Sequence, residues 1–190
     1  MVQKRPLLRQ RPIILVTVGT TYFGFTRVLE AVDFTLIYSK AEHRVITQTG
    51  TDTFKWYYKD VEYHPFIAPD EYINLVKKAT KIITHAGPGT LYTIARYSSV
   101  MPLVIPRLKK YGEHVTNHQL VFSKYIRKQL PNSHKKYLLS DTDISEAIKR
   151  YIAEKPTPNI LSRVFHAQPS SLLMQMLEKT ISKWTTSNNP

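Results

Sequence analysis

Apolar positions in this chain come in short unbroken blocks. Most are followed by a turn and then by a segment with helical spacing. Pro12 to Val18 is a continuous apolar run, the pattern of a strand buried on both faces. Gly19-Thr20-Thr21 turns the chain into a helix expected around Thr26–Val32. Arg44 to Thr49 is β-branched and strand-like, and Gly50 ends it. Val61 to Ile67 reads as a short strand. Pro69-Asp70-Glu71 opens a helix with Tyr72, Ile73, Val76 and Ala79 on its apolar face, and Lys77-Lys78 close it, a charge order that suits the helix dipole. Lys81 to Thr84 is a further buried strand. It runs into His85-Ala86-Gly87-Pro88-Gly89-Thr90 and a helix marked by Leu91, Ile94 and Ala95. Pro102 to Pro106 is the next strand. A basic loop then leads through Gly112-Glu113-His114 to a helix carrying Asn117-His118-Gln119. Strand, turn and helix repeated in this way predict an α/β fold, a doubly wound parallel sheet.

The flanking segments follow a different pattern. Residues 1–11 form a basic N-terminal arm, and the sheet domain is expected to span 12–154. Asp52 to Asp60 is an aromatic loop; Phe54, Trp56, Tyr57 and Tyr58 there either stack on a ligand or pack on the core or a partner. Asp141-Thr142-Asp143 has the look of an Asp-x-Asp metal motif, but Asp143 and Glu146 have the spacing of a helix cap ahead of Ile144, Ala147, Ile148 and Tyr151. Residues 155–168 are rich in proline and polar groups and read as a connecting loop. An amphipathic helix is expected at 169–186, docked on this domain or on a partner chain, with a frayed tail at 187–190.

Composition narrows the classes. The 190 residues suit one domain with tails, and 42% apolar content is enough for a core. There is no cysteine, so disulfide and thiolate chemistry are excluded. The basic start lacks the apolar segment of a signal peptide, and no run approaches a membrane span. A cytoplasmic protein is expected. The net charge of +13 calls for an anionic counterpart. Candidates are an anionic membrane surface, an anionic substrate and nucleic acid, and no nucleic-acid-binding motif accompanies the basic clusters.

The chemistry indicated by the loops is anion capture at strand ends. A helix N-terminus presents unpaired N–H groups and partial positive charge, and glycines ahead of it let a phosphate approach the backbone. Gly87 and Gly89 occupy such places, Pro88 loses nothing at the first helical position, and Thr90 offers a hydroxyl. No Lys-Ser/Thr pair follows the glycines, so this is not a P-loop. Ligands of doubly wound sheets sit outside the carboxyl ends of the strands, where the Gly19, Gly50, Gly87 and Pro106 loops all fall. His85 is either a local base or a structural residue at a strand end. His114 and His118 are four apart, but no third ligand completes a metal site.

Taken together, Thr17-Val18-Gly19-Thr20-Thr21, Gln48-Thr49-Gly50, His85-Ala86-Gly87-Pro88-Gly89-Thr90, Pro106-Arg107, Gly112-Glu113-His114-Val115 and Asn117-His118-Gln119 resemble the family 28 C-terminal domain of GT-B glycosyltransferases. Within that family the chain is most similar to the small donor-binding subunit of split, two-chain UDP-sugar transferases. The resemblance implies a Rossmann-like domain equivalent to the C-terminal half of a GT-B enzyme. It implies an inverting hexosyltransferase that takes a nucleotide diphosphate sugar, with UDP favoured, to a lipid-linked or polysaccharide acceptor. It assigns the donor to Gly19, Thr20, Thr21, Gly50, Gly87, Pro88, Gly89 and Thr90, with Arg107, Lys109 or Lys110 adding charge near the leaving group. It assigns Asn117, His118 and Gln119 to the sugar hydroxyls, and Glu113 or His114 to the loop or the donor. No cofactor or metal is implied. The general base and the acceptor would come from a membrane-associated partner chain. The sequence departs from the family where many members carry a ribose-binding Glu; the positions here are Tyr92, Thr93 and Ile94, with Thr93 as candidate substitute. Two other readings remain: a non-catalytic subunit that retains the fold, and a basic nucleic-acid-binding domain.

Overall fold

A computed structural model describes residues 11–39, 42–140 and 143–166. The arm before Arg11, the expected helix at 169–186 and the tail at 187–190 lie outside the described residues, as do Asp141 and Thr142. Five strands, β1 (Ile13–Thr17), β2 (Arg44–Gln48), β3 (Val61–His64), β4 (Lys81–His85) and β5 (Leu103–Ile105), form a parallel sheet in the order β3-β2-β1-β4-β5. In the register Thr17 lies level with Gln48 on one side and Thr84 on the other, and His85 lies level with Ile105. The order reverses between β1 and β4, which places the crevice of a doubly wound sheet between those two strand ends.

Alternation along the strands builds two cores. Ile14, Val16, Val45 and Ile83 face one side, together with buried residues of α1 (Thr26–Ile37), α4 (His118–Gln129) and α5 (Ile144–Ala153). Leu15, Ile46 and Ile82 face the other, against Val76 of α2 (Pro69–Lys78) and Ile94 of α3 (Pro88–Tyr97). Because both faces are covered at β1 and β4, these strands read as apolar blocks rather than as alternating ones, whereas the edge strand β3 is only part-buried. Asp70 and Glu71 stand in the first turn of α2 and Lys77 and Lys78 in its last.

Several expectations need adjustment. The helix after β1 runs on to Ile37, and the strand from Val61 stops at His64. The segment 155–168 is not wholly a loop: it contains α6 (Leu161–His166), packed on α3. Its polar composition hid this turn because Asn159 carries the structural work. The Asn159 amide donates to the Ile94 and Ser98 carbonyls at the end of α3, and its Oδ1 accepts from Leu161 N–H at 3.0 Å. Phe54, Trp56 and Tyr58 pack against the core, the second of the two roles left open for them. Asp143 caps α5 by accepting from Ser145 N–H at 2.9 Å. Arg11, at the end of the expected arm, is paired with Asp60 at 2.6 Å.

Two buried polar groups tie distant segments to this frame. Lys81 Nζ donates to the Tyr151 carbonyl at 2.7 Å and to the Glu154 carbonyl, placing a cation at the C-terminus of α5. Asp33 of α1 accepts from Tyr57 N–H and Tyr58 N–H, at 2.8 Å for the shortest contact, and so holds the aromatic loop. Asp33→Ala strands both donors in a part-buried site. Urea unfolding of that variant is expected to show a loss of about 1–3 kcal/mol, the usual cost of orphaned polar groups.

Candidate active site

The loops that follow β1, β2, β4 and β5 meet at one rim of the sheet. Gly19 and Gly50 adopt φ values of 84° and 61°, which only glycine takes without strain. A Cβ on Gly50 would stand 2.8 Å from the Gly19 carbonyl oxygen, so these two loops are in contact. The His85 ring at the end of β4 fills the space between the Gly19 and Gly87 backbones. A Cβ on Gly19 would meet its Nε2 at 2.8 Å, and one on Gly87 would penetrate the ring. These two glycines are therefore required by a histidine. Gly89 differs: a Cβ there would meet nothing within 4 Å. It sits in the first turn of α3, whose N-cap Gly87 provides no side-chain cap. The amides of Gly89 and Thr90 thus begin the helix at an open surface, next to a half-buried Pro88.

The residues singled out in the sequence divide into a lip and a foundation. Thr20, Gly89 and Asn117 are exposed, and Gly19, Thr21, Gly50, Pro88, Thr90, His114 and His118 are half-buried. His85, Gly87, Arg107, Glu113 and Gln119 are buried. Gln119, expected at the sugar, turns its Oε1 inward to accept from Ala86 N–H at 3.2 Å and Arg107 N–H at 3.1 Å. Those are the first donors beyond β4 and β5 on that side, and Gln119 replaces the ladder they have left. Arg107, expected at the leaving group, is 1% exposed. Its guanidinium donates to the carbonyls of Val18 (2.5 Å), Phe23 (2.7 Å), Gly24 (2.9 Å) and Glu113 (3.1 Å), and lies over the Phe25 ring at 4.7 Å. Glu113 accepts both nitrogens of a bidentate contact from Arg27, at 2.6 and 3.0 Å, and Leu108 N–H at 2.9 Å. It orients the loop, one of the two roles considered for it.

On the lip, Asn117 accepts from Lys109 N–H at 2.9 Å. His114 and His118 pack edge to face with ring centres 4.2 Å apart, and His118 Nδ1 lies 2.8 Å from the Thr116 hydroxyl. Phe23 extends this row of rings to Tyr22, which is 79% exposed. Thr93, the candidate substitute for the family's Glu, donates its hydroxyl to the Gly89 carbonyl at 3.0 Å. Lys109 and Lys110 stand exposed on the turn Lys109–Tyr111. Sequence reading missed Arg27 and Asp52. Asp52 accepts from Phe25 N–H at 2.7 Å, fixing the far end of the Gly19 loop. Neither carries a local signal, because Arg27 meets Glu113 86 positions away and Asp52 meets Phe25 27 positions away.

Burial lowers the proton affinity of His85, His114 and His118. Burial, then the nearby Arg107 charge, pushes His85 down to about 3, with the Gln119 amide acting in the opposite direction. His114 falls to about 4 through burial, then His118 and Arg107, and burial also lowers His118. Nε2 of His85 lies 3.2 Å from the Thr90 hydroxyl, whereas Nδ1 has no partner. An imidazole this far below its ordinary range, closed between two loops, is poorly placed to take a proton from a substrate in solution.

Residues 13–175 match the glycosyltransferase family 28 C-terminal domain, and the chain belongs to that family. No match was found among curated proteins. Among solved structures the chain is similar to the glycotransferase of kitacinnamycin, with 17% identity over 78% of this chain and 40% of that one, TM-score 0.47. It is also similar to the glycosyltransferase SnogD from Streptomyces nogalater, with 23% identity over 85% and 44%, TM-score 0.44. A third is CalG4, the calicheamicin glycosyltransferase, with 14% identity over 86% and 45%, TM-score 0.44. The chain thus spans less than half the length of each of these proteins.

Two consequences can be measured. His85, His114 and His118 bind protons more readily once unfolded, so below an unfolded pKa near 6.5 the unfolded state takes up more protons. Stability is present above that pH and is lost as pH falls toward 4 and 3. Urea midpoints from pH 7 to pH 4 are expected to decline, and His85→Gln is expected to flatten the decline. Gly87→Ala is expected to lower Tm sharply, whereas Gly89→Ala is expected to leave it nearly unchanged.

Proposed function

We propose that this chain binds the donor of an inverting glycosyltransferase, a nucleotide diphosphate sugar and by preference a UDP-sugar. The observation that carries the reading is the convergence of the Gly19, Gly50, Gly87 and Pro106 loops at one rim of the sheet, with the uncapped α3 N-terminus open at Gly89. The diphosphate is read onto the Gly89 and Thr90 amides, where the helix dipole favours negative charge. Lys109 and Lys110, exposed on the turn Lys109–Tyr111, are assigned to add positive charge as the leaving group departs. Thr20 and Thr21 form the facing wall. Asn117, His118 and His114 remain the candidates for the sugar on that lip. Gln119 supports the site from beneath.

In the transfer an acceptor hydroxyl oxygen bonds to the anomeric carbon. The bond from that carbon to the diphosphate oxygen breaks, and its electron pair leaves with the nucleotide. The main task of this chain is then to stabilise the departing diphosphate. The acceptor proton needs a base, and His85 is closed off by burial, which lowers it to about 3 and makes it a poor proton acceptor. The base is therefore assigned to a second, membrane-associated chain that brings a lipid-linked or polysaccharide acceptor, and the enzyme is read as a two-chain assembly at the cytoplasmic membrane face. Between His114 and Ser140 the sequence has no acidic residue, and Lys124, Arg127, Lys128 and Lys135 supply positive charge suited to anionic lipid, whereas Lys136 is paired with Glu154 at 2.7 Å. Among the described residues no helix is long and apolar enough to cross a membrane.

Calorimetric titration with UDP tests the donor site. The chain is expected to bind UDP, and Gly89→Leu is expected to fold with a nearly unchanged Tm while losing at least about tenfold in affinity. Absence of UDP binding, alone and with the acceptor chain present, would remove the proposal.

A further inference from the structure

The Arg107 guanidinium is costly where it stands. It is buried, its Nε has no partner among the described residues, and its terminal nitrogens donate to backbone carbonyls. Burial pushes its pKa down to about 10, against the opposing influence of Glu113 and Asp52. A charge withdrawn from water in this way is retained only where its hydrogen bonds are well made. Here they go to four backbone carbonyls of two loops. Val18, Phe23 and Gly24 bracket the loop after β1, and Glu113 belongs to the loop after β5. Strands β1 and β5 are not neighbours, because β4 lies between them. The guanidinium therefore joins loops that the sheet itself does not join.

The rest of the junction makes this link rigid. Glu113 is held by Arg27 and by Leu108 N–H, and the Arg27 guanidinium also donates to the Pro106 carbonyl at 3.2 Å. Gln119 fixes the Arg107 backbone N–H, and the Phe25 ring lies under the guanidinium. Asp52 then fastens Phe25 N–H at the loop's far foot. What remains between the two feet is Gly19 to Tyr22, the segment read as one wall of the crevice. A trans peptide carries its N–H opposite its C=O. With the Val18, Phe23 and Gly24 carbonyls turned toward Arg107, the N–H groups of the following residues face away from it.

We propose that Arg107 is a positioning residue for the donor crevice. It acts from behind the wall, sets the conformation of the Gly19–Gly24 loop, and locks that loop to Glu113 so that the two sides of the crevice keep one separation. The proposal rests on the nucleotide-sugar reading, but its first consequence does not. An Arg107→Lys variant keeps the charge and cannot reach four carbonyls arranged around a planar fork.

The experiment compares wild type with Arg107→Lys by amide hydrogen exchange and by UDP titration. Exchange in peptides covering 19–25 and 109–117 is expected to rise at least about tenfold, while that of 81–86 and 103–105 stays at the wild-type rate. UDP affinity is expected to fall about tenfold. Wild-type exchange rates in those loops would overturn the proposal. So would a fall in affinity without a change in loop exchange, because that pattern marks direct contact with the nucleotide. A wild-type chain that binds no UDP removes the donor reading, and the exchange comparison still decides whether Arg107 fixes the loop. If the variant does not fold, NMR of the Arg107 side chain in the wild type decides. Slowly exchanging Nη protons that UDP leaves unshifted support the positioning role; solvent-exchanging or UDP-shifted ones overturn it.

Discussion

Parallel strands solve the backbone hydrogen-bond problem along their length and leave it unsolved at their ends. At the carboxyl rim of this sheet the chain leaves the ladder while still buried, so its peptide groups need partners from side chains. Three side chains from the segment after β5 supply them. Gln119 accepts from the first free amides beyond β4 and β5, Arg107 gathers four carbonyls, and Glu113 takes a loop amide while it is itself held by Arg27. The crevice has its shape because these groups close the rim from within. The same demand explains why a polar stretch of the sequence contributes the buried side chains of Arg107, Glu113 and Gln119.

The glycines of the rim illustrate how one residue type serves two ends. Gly19 and Gly87 make room for the His85 ring, and that packing draws the β1 and β4 loops together across the point where strand order reverses. Gly89 makes room for nothing in the protein. Its open surface beside the unpaired start of α3 is the part of the loop that suits an anion. The division into an inner, protein-filled glycine pair and an outer, empty one separates what the fold requires from what a ligand would use.

Membership of the family 28 C-terminal domain fits a chain that provides one sheet, one crevice and no second domain of comparable size among the described residues. A buried His85 of weakened basicity and a rim held by amides and carbonyls suit binding and charge stabilisation better than proton transfer. That balance is why the base is sought outside this chain, and why the lip of exposed Tyr22 and Asn117 and half-buried His114 and His118 is of more interest for chemistry than the deeper foundation.

The sequence alone determined the architecture. Blocks from Pro12, Arg44, Lys81 and Pro102, each closed by glycine, proline or a polar turn, were enough to place β1, β2, β4 and β5, because strands buried on both faces leave continuous hydrophobic runs, while the part-exposed edge strand from Val61 showed only as a short strand-like segment. The charges of α2 and the Asp143 cap were legible for the same local reason. The sequence also marked which loops meet, since every loop after a parallel strand emerges on one rim. It did not determine which way the polar side chains of those loops turn. Arg107 and Gln119 look like ligand residues in one dimension, and only the packed structure shows them satisfying backbone groups that have lost their ladder. Nor did it show that His85, rather than a phosphate, occupies the space left by Gly19 and Gly87, or that Arg27 and Asp52 belong to the site. Those facts rest on contacts between positions far apart in the chain, and local pattern carries no information about a partner that only folding brings near.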